Sequence, residues 1–188
     1  MRLFVAILLD EEVRASLSEA QRKLRRECPD VKWVGPGQLH LTAKFLGDVP
    51  DGQVAEITEA VRASAGEASP FSMEIASLGC FPPGGGVRVI WAGIDEPSGA
   101  LRRCMGLLEE YVEIAGIPRE NRPFSAHVTL GRVRFDRSGG AIRSRVASAR
   151  LAPRLQEVCS LTLMSSALSP QGPTYATVAS APFGEKEA

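Results

Sequence analysis

Two short segments of this 188-residue chain repeat each other: His40-Leu41-Thr42 and His127-Val128-Thr129, 87 residues apart and using both histidines the chain contains. On a strand, residues two apart share a face. Each imidazole is therefore aligned with a hydroxyl, while Leu41 and Val128 point the other way, into a core. The fold must supply two such strands, and the surrounding pattern shows how. Arg2–Leu9 is an apolar run of strand length. Asp10 stands at the cap of a helix carrying Val13, Leu17, Ala20 and Leu24, and Pro29 stops it. Val31–Val34 and His40–Leu46 read as strands, and Gln53 to Ala65 as a second helix. Phe71, Met73 and Ile75, then Val87, Val89 and Trp91, alternate as strands on either side of a Pro/Gly-rich loop from Phe81 to Gly86. A third helix from Ser98 to Ala115 ends at Gly116, and a strand runs from Ala126 to Val133. A short helix through Ile142, Val146 and Ala149 follows, then a strand from Val158 to Met164. The turn Pro170-Gln171-Gly172-Pro173 precedes a last strand, Tyr175–Ala179, and a frayed tail from Gly184 to Ala188.

Strands and helices mixed in this order, with short turns between several strands, predict an α+β fold with antiparallel sheet rather than a wound parallel one. Each half holds helices, a turn and a strand opening with His-x-Thr. No linker separates the halves, so residues 1–188 read as one bilobal domain with one motif per lobe. A composition of 44% hydrophobic and 23% charged residues supports a buried core. The formal net charge of zero predicts no partner. The charge is unevenly placed, however: between Ile117 and Arg154 nine arginines face two acids, a surplus of seven positive charges. Such a segment suits a polyanion, because the guanidinium fork matches phosphate oxygens. Cys28, Cys80, Cys104 and Cys159 have neither zinc-ligand spacing nor the pattern of a disulfide framework. They read as free thiols of a cytoplasmic protein. The apolar start is too short for a signal peptide and runs into Asp10-Glu11-Glu12, and no stretch is long enough to span a membrane.

Paired imidazoles and hydroxyls suit in-line displacement at phosphorus. A neutral imidazole takes a proton from the attacking water, and an imidazolium on the other side gives one to the departing oxygen. The Thr42 and Thr129 hydroxyls can donate to the non-bridging oxygens. This chemistry needs no metal or cofactor. A two-histidine metal site lacks acidic or cysteine partners at ligand spacing, and no Gly-x-Ser-x-Gly places a serine nucleophile. A non-enzymatic RNA-binding module using the Arg-rich segment is the remaining alternative, and it leaves the matched histidines without a purpose.

The stretches His40-Leu-Thr-Ala-Lys-Phe-Leu-Gly47 and Arg122-Pro-Phe-Ser-Ala-His-Val-Thr-Leu-Gly-Arg132 resemble the signature motifs of the 2H phosphoesterase superfamily. Within it, the chain is similar to the RNA 2′,3′-cyclic phosphodiesterase branch, also called 2′-5′ RNA ligases. Arg2-Leu-Phe-Val-Ala, Trp33-Val34, Arg88-Val-Ile-Trp91 and Ser165 to Tyr175 carry the likeness over nearly the whole chain. The resemblance implies two antiparallel sheets with flanking helices, related by a pseudo-twofold about a central cleft. It implies hydrolysis of a terminal 2′,3′-cyclic phosphate to a 2′-phosphate without metal or cofactor, with reversible ATP-independent 2′-5′ ligation as a side activity. A 2′,5′-linked oligonucleotide or another cyclic phosphate is the alternative substrate. The expected partners are RNA ends or nucleoside cyclic phosphates, acted on by a monomer. We assign His40 as the proton donor and His127 as the acceptor.

Arg132 resembles the family's phosphate-side arginine, although strict alternation puts it opposite His127 unless a bulge or twist intervenes. Lys44 shares a face with His40 and Thr42 by the same alternation and is a candidate anion contact. Ser125-Ala126 occupies the place where members often have Arg-Pro. That leaves Ser125 as the candidate substrate contact and predicts a weaker grip on an RNA phosphate. Phe45 alternates with Leu41 and Ala43 and reads as core, and Trp33 and Trp91 as packing residues.

Overall fold

The structure, a computed structural model, describes residues 1–170 and 172–184. Gln171 of the expected turn and the tail beyond Gly184 lie outside the described residues. In chain order the elements are β1 (Arg2–Leu8), α1 (Glu11–Glu27), β2 (Val31–Trp33), β3 (His40–Asp48), α2 (Val54–Glu67), β4 (Phe71–Phe81) and β5 (Val89–Asp95). Then come α3 (Ala100–Ile114), β6 (His127–Val133), α4 (Ala141–Ser148), β7 (Arg154–Val158), β8 (Ser160–Ser169) and β9 (Gly172–Pro182). Every strand pairing is antiparallel, giving the α+β class read from the sequence.

The strands run in the order β7-β4-β5-β6-β3-β1-β8-β9, with β2 added to β6. Among the described residues, the two strand groups, β3-β1-β8-β9 and β2/β6-β5-β4-β7, are joined by strand pairing where Leu41 faces Val128. The two expected sheets are thus joined into one hydrogen-bonded path at the strands that carry the histidines. Two helices, α1 and α3, cross between halves. α1 leaves β1 of the first half yet packs on β7 of the second, beside α4, which covers β4. α3 leaves β5 of the second half and packs with α2, which covers β8 and β9 of the first. Residues from both halves, among them Leu3, Val5, Leu41, Ile57, Ile90, Leu108, Val128 and Leu163, form one contiguous buried cluster between sheet and helices.

Two local features differ from the sequence reading. β7 was not evident in the sequence because its apolar alternation is inverted: Leu155 points to solvent at 73% exposure, while the polar Gln156 is buried. Gln156 is satisfied there, donating to the Leu8 carbonyl at 2.7 Å and accepting the Asp10 N–H at 3.0 Å. Asp10 does precede α1, but its side chain makes no capping bond. Gly116 follows α3 as expected, at φ 86°, and Ile117 N–H donates to the Val112 carbonyl at 2.9 Å.

Candidate active site

The junction of the halves defines the site. Leu41 and Val128 are both fully buried, 0% exposed, on the core side of the sheet. Their neighbours therefore project from the other face. Antiparallel register carried one residue each way from the Leu41–Val128 pair sets His40 across from Thr129 and Thr42 across from His127. On that register the four residues take the corners of a rectangle with the histidines on one diagonal, where ideal pairing gives a backbone separation of about 7–8 Å. Thr42 and Thr129 fill the other diagonal.

Both imidazoles are aimed in the same way. His40 Nδ1 lies 2.7 Å from the Gln38 carbonyl and His127 Nδ1 lies 2.8 Å from the Ser125 carbonyl, each two residues upstream. A carbonyl only accepts, so Nδ1 carries the proton and donates, leaving Nε2 as the reactive nitrogen in both rings. His40 Nε2 is 3.0 Å from Thr42 Oγ1. Burial lowers the His40 pKa below the ordinary imidazole value; the Gln38 carbonyl opposes this, and the Arg132 guanidinium acts with the burial.

Each motif strand bulges immediately after its threonine. On β3, Thr42 pairs Ala6 but Lys44 pairs Val5, so Ala43 is the extra residue. On β6, Thr129 pairs Trp91 but Gly131 pairs Ile90, so Leu130 is extra. A one-residue insertion reverses the facing of everything after it. Arg132 is thereby brought to the histidine face, paired with Val89 and Lys32. Lys44 is turned away from it, against expectation. It is buried, its Nζ 2.7 Å from Glu109 Oε2 on α3 and 3.0 Å from the Pro118 carbonyl. Phe45, expected in the core, is 65% exposed on the histidine face, and Leu46 takes the core position.

The floor of the groove contains residues the sequence did not single out. Phe4 lies 5.0 Å from His40 and Tyr175 5.4 Å, ring centre to ring centre, and Phe81 lies 5.1 Å from His127. Trp91 packs 5.2 Å from Phe81, over Gly79, where a Cβ would overlap the indole. Phe4 gave no signal because it sits inside a continuous apolar run in which both faces of β1 are covered. Ser125 is exposed and contributes its carbonyl to His127. Lys32 and Arg132, paired across β2 and β6, form no ion pair among the described residues, so this edge of the groove keeps its positive charge. Among the described residues no three His, Cys, Asp or Glu side chains converge, and no helix is long and apolar enough to cross a membrane.

Known proteins say which class this antiparallel α+β fold belongs to. The model of the LigT-like phosphoesterases matches residues 7–91. Proteins named RNA 2′,3′-cyclic phosphodiesterase from Thermus thermophilus and Archaeoglobus fulgidus are 36% and 35% identical, over 93% of this chain and 86% and 96% of theirs. A solved Thermus thermophilus protein superimposes with a TM-score of 0.81 at 30% identity over all of both chains. Escherichia coli LigT complexed with 3′-AMP shares the fold at 23% identity, TM-score 0.75, over 97% of each chain. The chain belongs to the LigT-like phosphoesterase family of the 2H superfamily, and it is an enzyme, a phosphodiesterase.

Proposed function

We propose that this phosphodiesterase hydrolyses RNA 2′,3′-cyclic phosphate ends to 2′-phosphates, with His40 and His127 as its acid–base pair. The observation that carries this is the placement of the two histidines on either side of the Leu41–Val128 pair, with both rings held through Nδ1 so that Nε2 is the free nitrogen in each. The relatives' names supply the substrate class. Thr42 and Thr129 donate to the non-bridging oxygens, and Arg132 adds positive charge where the pentacoordinate phosphorus gathers negative charge. His127 takes the proton of the attacking water, the P–O3′ bond breaks, and His40 protonates the departing 3′-oxygen. Each transfer contributes roughly 10²–10⁴-fold. With an RNA 5′-hydroxyl in place of water, the same displacement is 2′-5′ ligation. The domain is then a single bilobal unit with one histidine from each lobe.

One observation favours the opposite order of proton transfers. Burial and Arg132 bias His40 toward its neutral form, which is the form a base requires. A bound phosphate anion counters that bias by favouring imidazolium. The test of the function is chromatography of products from an oligonucleotide ending in a 2′,3′-cyclic phosphate, in EDTA. A 2′-phosphate formed by the wild type and lost in His40→Ala and in His127→Ala is expected. Loss of wild-type turnover on chelation, or a 3′-phosphate product, contradicts the reading.

A further inference from the structure

Leu130 is the residue inserted into β6, and the extra residue of a bulge is left out of its ladder. Its backbone groups must find partners elsewhere. β5 pairs with Thr129 and Gly131 and passes Leu130 by. The Leu130 carbonyl accepts instead from the Val34 N–H at 2.9 Å and from Gln21 Nε2 at 2.8 Å. The second hydrogen of the same amide goes to the Val34 carbonyl at 2.9 Å. Gln21 lies on α1 and is only 3% exposed, so a helix that leaves the first half reaches the bulge in the second. Glutamine suits that place because one nitrogen carries two donors. An apolar residue of equal length would take a donor from both carbonyls. Next to the inserted residue, Gly131 admits no side chain, since a Cβ would overlap Val31.

What the bulge decides is the facing of Arg132. Unbroken alternation from Val128 would send Leu130 and Arg132 to the core side together. With Leu130 inserted, Arg132 stands exposed on the histidine face, beside Lys32. Resting on the phosphodiesterase reading above, in which Arg132 meets the phosphate, we propose that Gln21 is a positioning residue for substrate binding: by bonding Leu130 and Val34 it holds the β6 bulge in place and so aims Arg132 into the groove. Gln21 is buried and acts through a backbone carbonyl on the guanidinium two residues further along.

The test compares wild type, Gln21→Met, Arg132→Gln and the double variant, by turnover of adenosine 2′,3′-cyclic phosphate and by NMR titration of the His40 ring. Gln21→Met keeps the side chain's length and removes both donors. It should lower kcat/KM about tenfold, mainly through KM, the effect of weakening one charge-assisted bond. Added to Arg132→Gln, it should change kcat/KM by less than about twofold, because the arginine it aims is already gone. The His40 titration should move to higher pH in Gln21→Met, as in Arg132→Gln, since the cation that opposes imidazolium has turned away. Val13→Ala truncates a buried side chain of the same helix; it should lower Tm and leave both readouts at wild-type values. Gln21→Asn, which keeps the amide a methylene short, should shift both readouts the same way and serves if the methionine variant does not fold. Positioning is overturned if a folded Gln21 variant lowers Tm alone, if its effect multiplies fully with that of Arg132→Gln, or if Val13→Ala moves the readouts as far. Absent wild-type turnover removes the phosphodiesterase reading instead, and the His40 titration still decides the role of Gln21.

Discussion

Arg132 and Lys44 show how one side chain's surroundings decide its role. Arg132 is exposed on the groove and pushes the His40 pKa down in concert with burial. Arg132→Gln should therefore raise it, moving to higher pH whichever limb of the rate profile His40 governs, and should raise KM through the lost phosphate contact. NMR titration of the His40 ring checks the first effect directly. Because the folded His40 pKa lies below the unfolded value of about 6.5, its stabilising contribution is complete above that pH. It is lost as pH falls toward the folded value. Lys44, by contrast, is paired with the quarter-exposed Glu109. Lys44→Met should cost about 2 kcal/mol, with partial exposure of Glu109 reducing the penalty, a fall in Tm of roughly 4–8 °C. The same variant should change kcat/KM by less than about twofold, whereas a substrate-binding lysine would shift KM instead. The histidines and threonines could be read from the sequence because repetition marks them. Lys44 and Phe45 could not, because alternation counts residues and cannot see the inserted one.

At the scale of elements, the bulges after Thr42 and Thr129 are what make β3 and β6 useful. They let the same strand send His and Thr to the groove and, three residues on, send Phe45 or Arg132 there too. Close packing holds this arrangement: Trp91, directly paired with Thr129, lies over Gly79 on β4, and Gly131 accommodates Val31 and Trp33. Gly79→Ala should displace the indole, costing about 1–3 kcal/mol in stability. It should also lower kcat, because Phe81 and then His127 rest on that ring. Unchanged kcat at a lowered Tm would show that Trp91 supports the sheet alone. Most elements were visible as apolar periodicity or as Gly and Pro punctuation. β7 was not, since an edge strand burying Gln156 and exposing Leu155 reverses the pattern on which such recognition depends.

For the molecule as a whole, duplication is visible in the sequence as two His-x-Thr strands, but its consequence is architectural. Two of the four helices, α1 and α3, leave one half and pack with elements of the other, and the halves meet along β3 and β6, so the two imidazoles are held by a shared core. The relative placement of the rings follows from register and bulge, neither of which single-sequence periodicity encodes. The most direct measurement of their joint action is the pH dependence of kcat/KM for a cyclic-phosphate substrate in wild type, His40→Ala and His127→Ala. The wild type should give a bell, with residual activity in each variant losing one limb, and the two variants losing opposite limbs. Variants that both keep the bell, or that lose the same limb, would contradict acid–base action by this pair on one phosphorus.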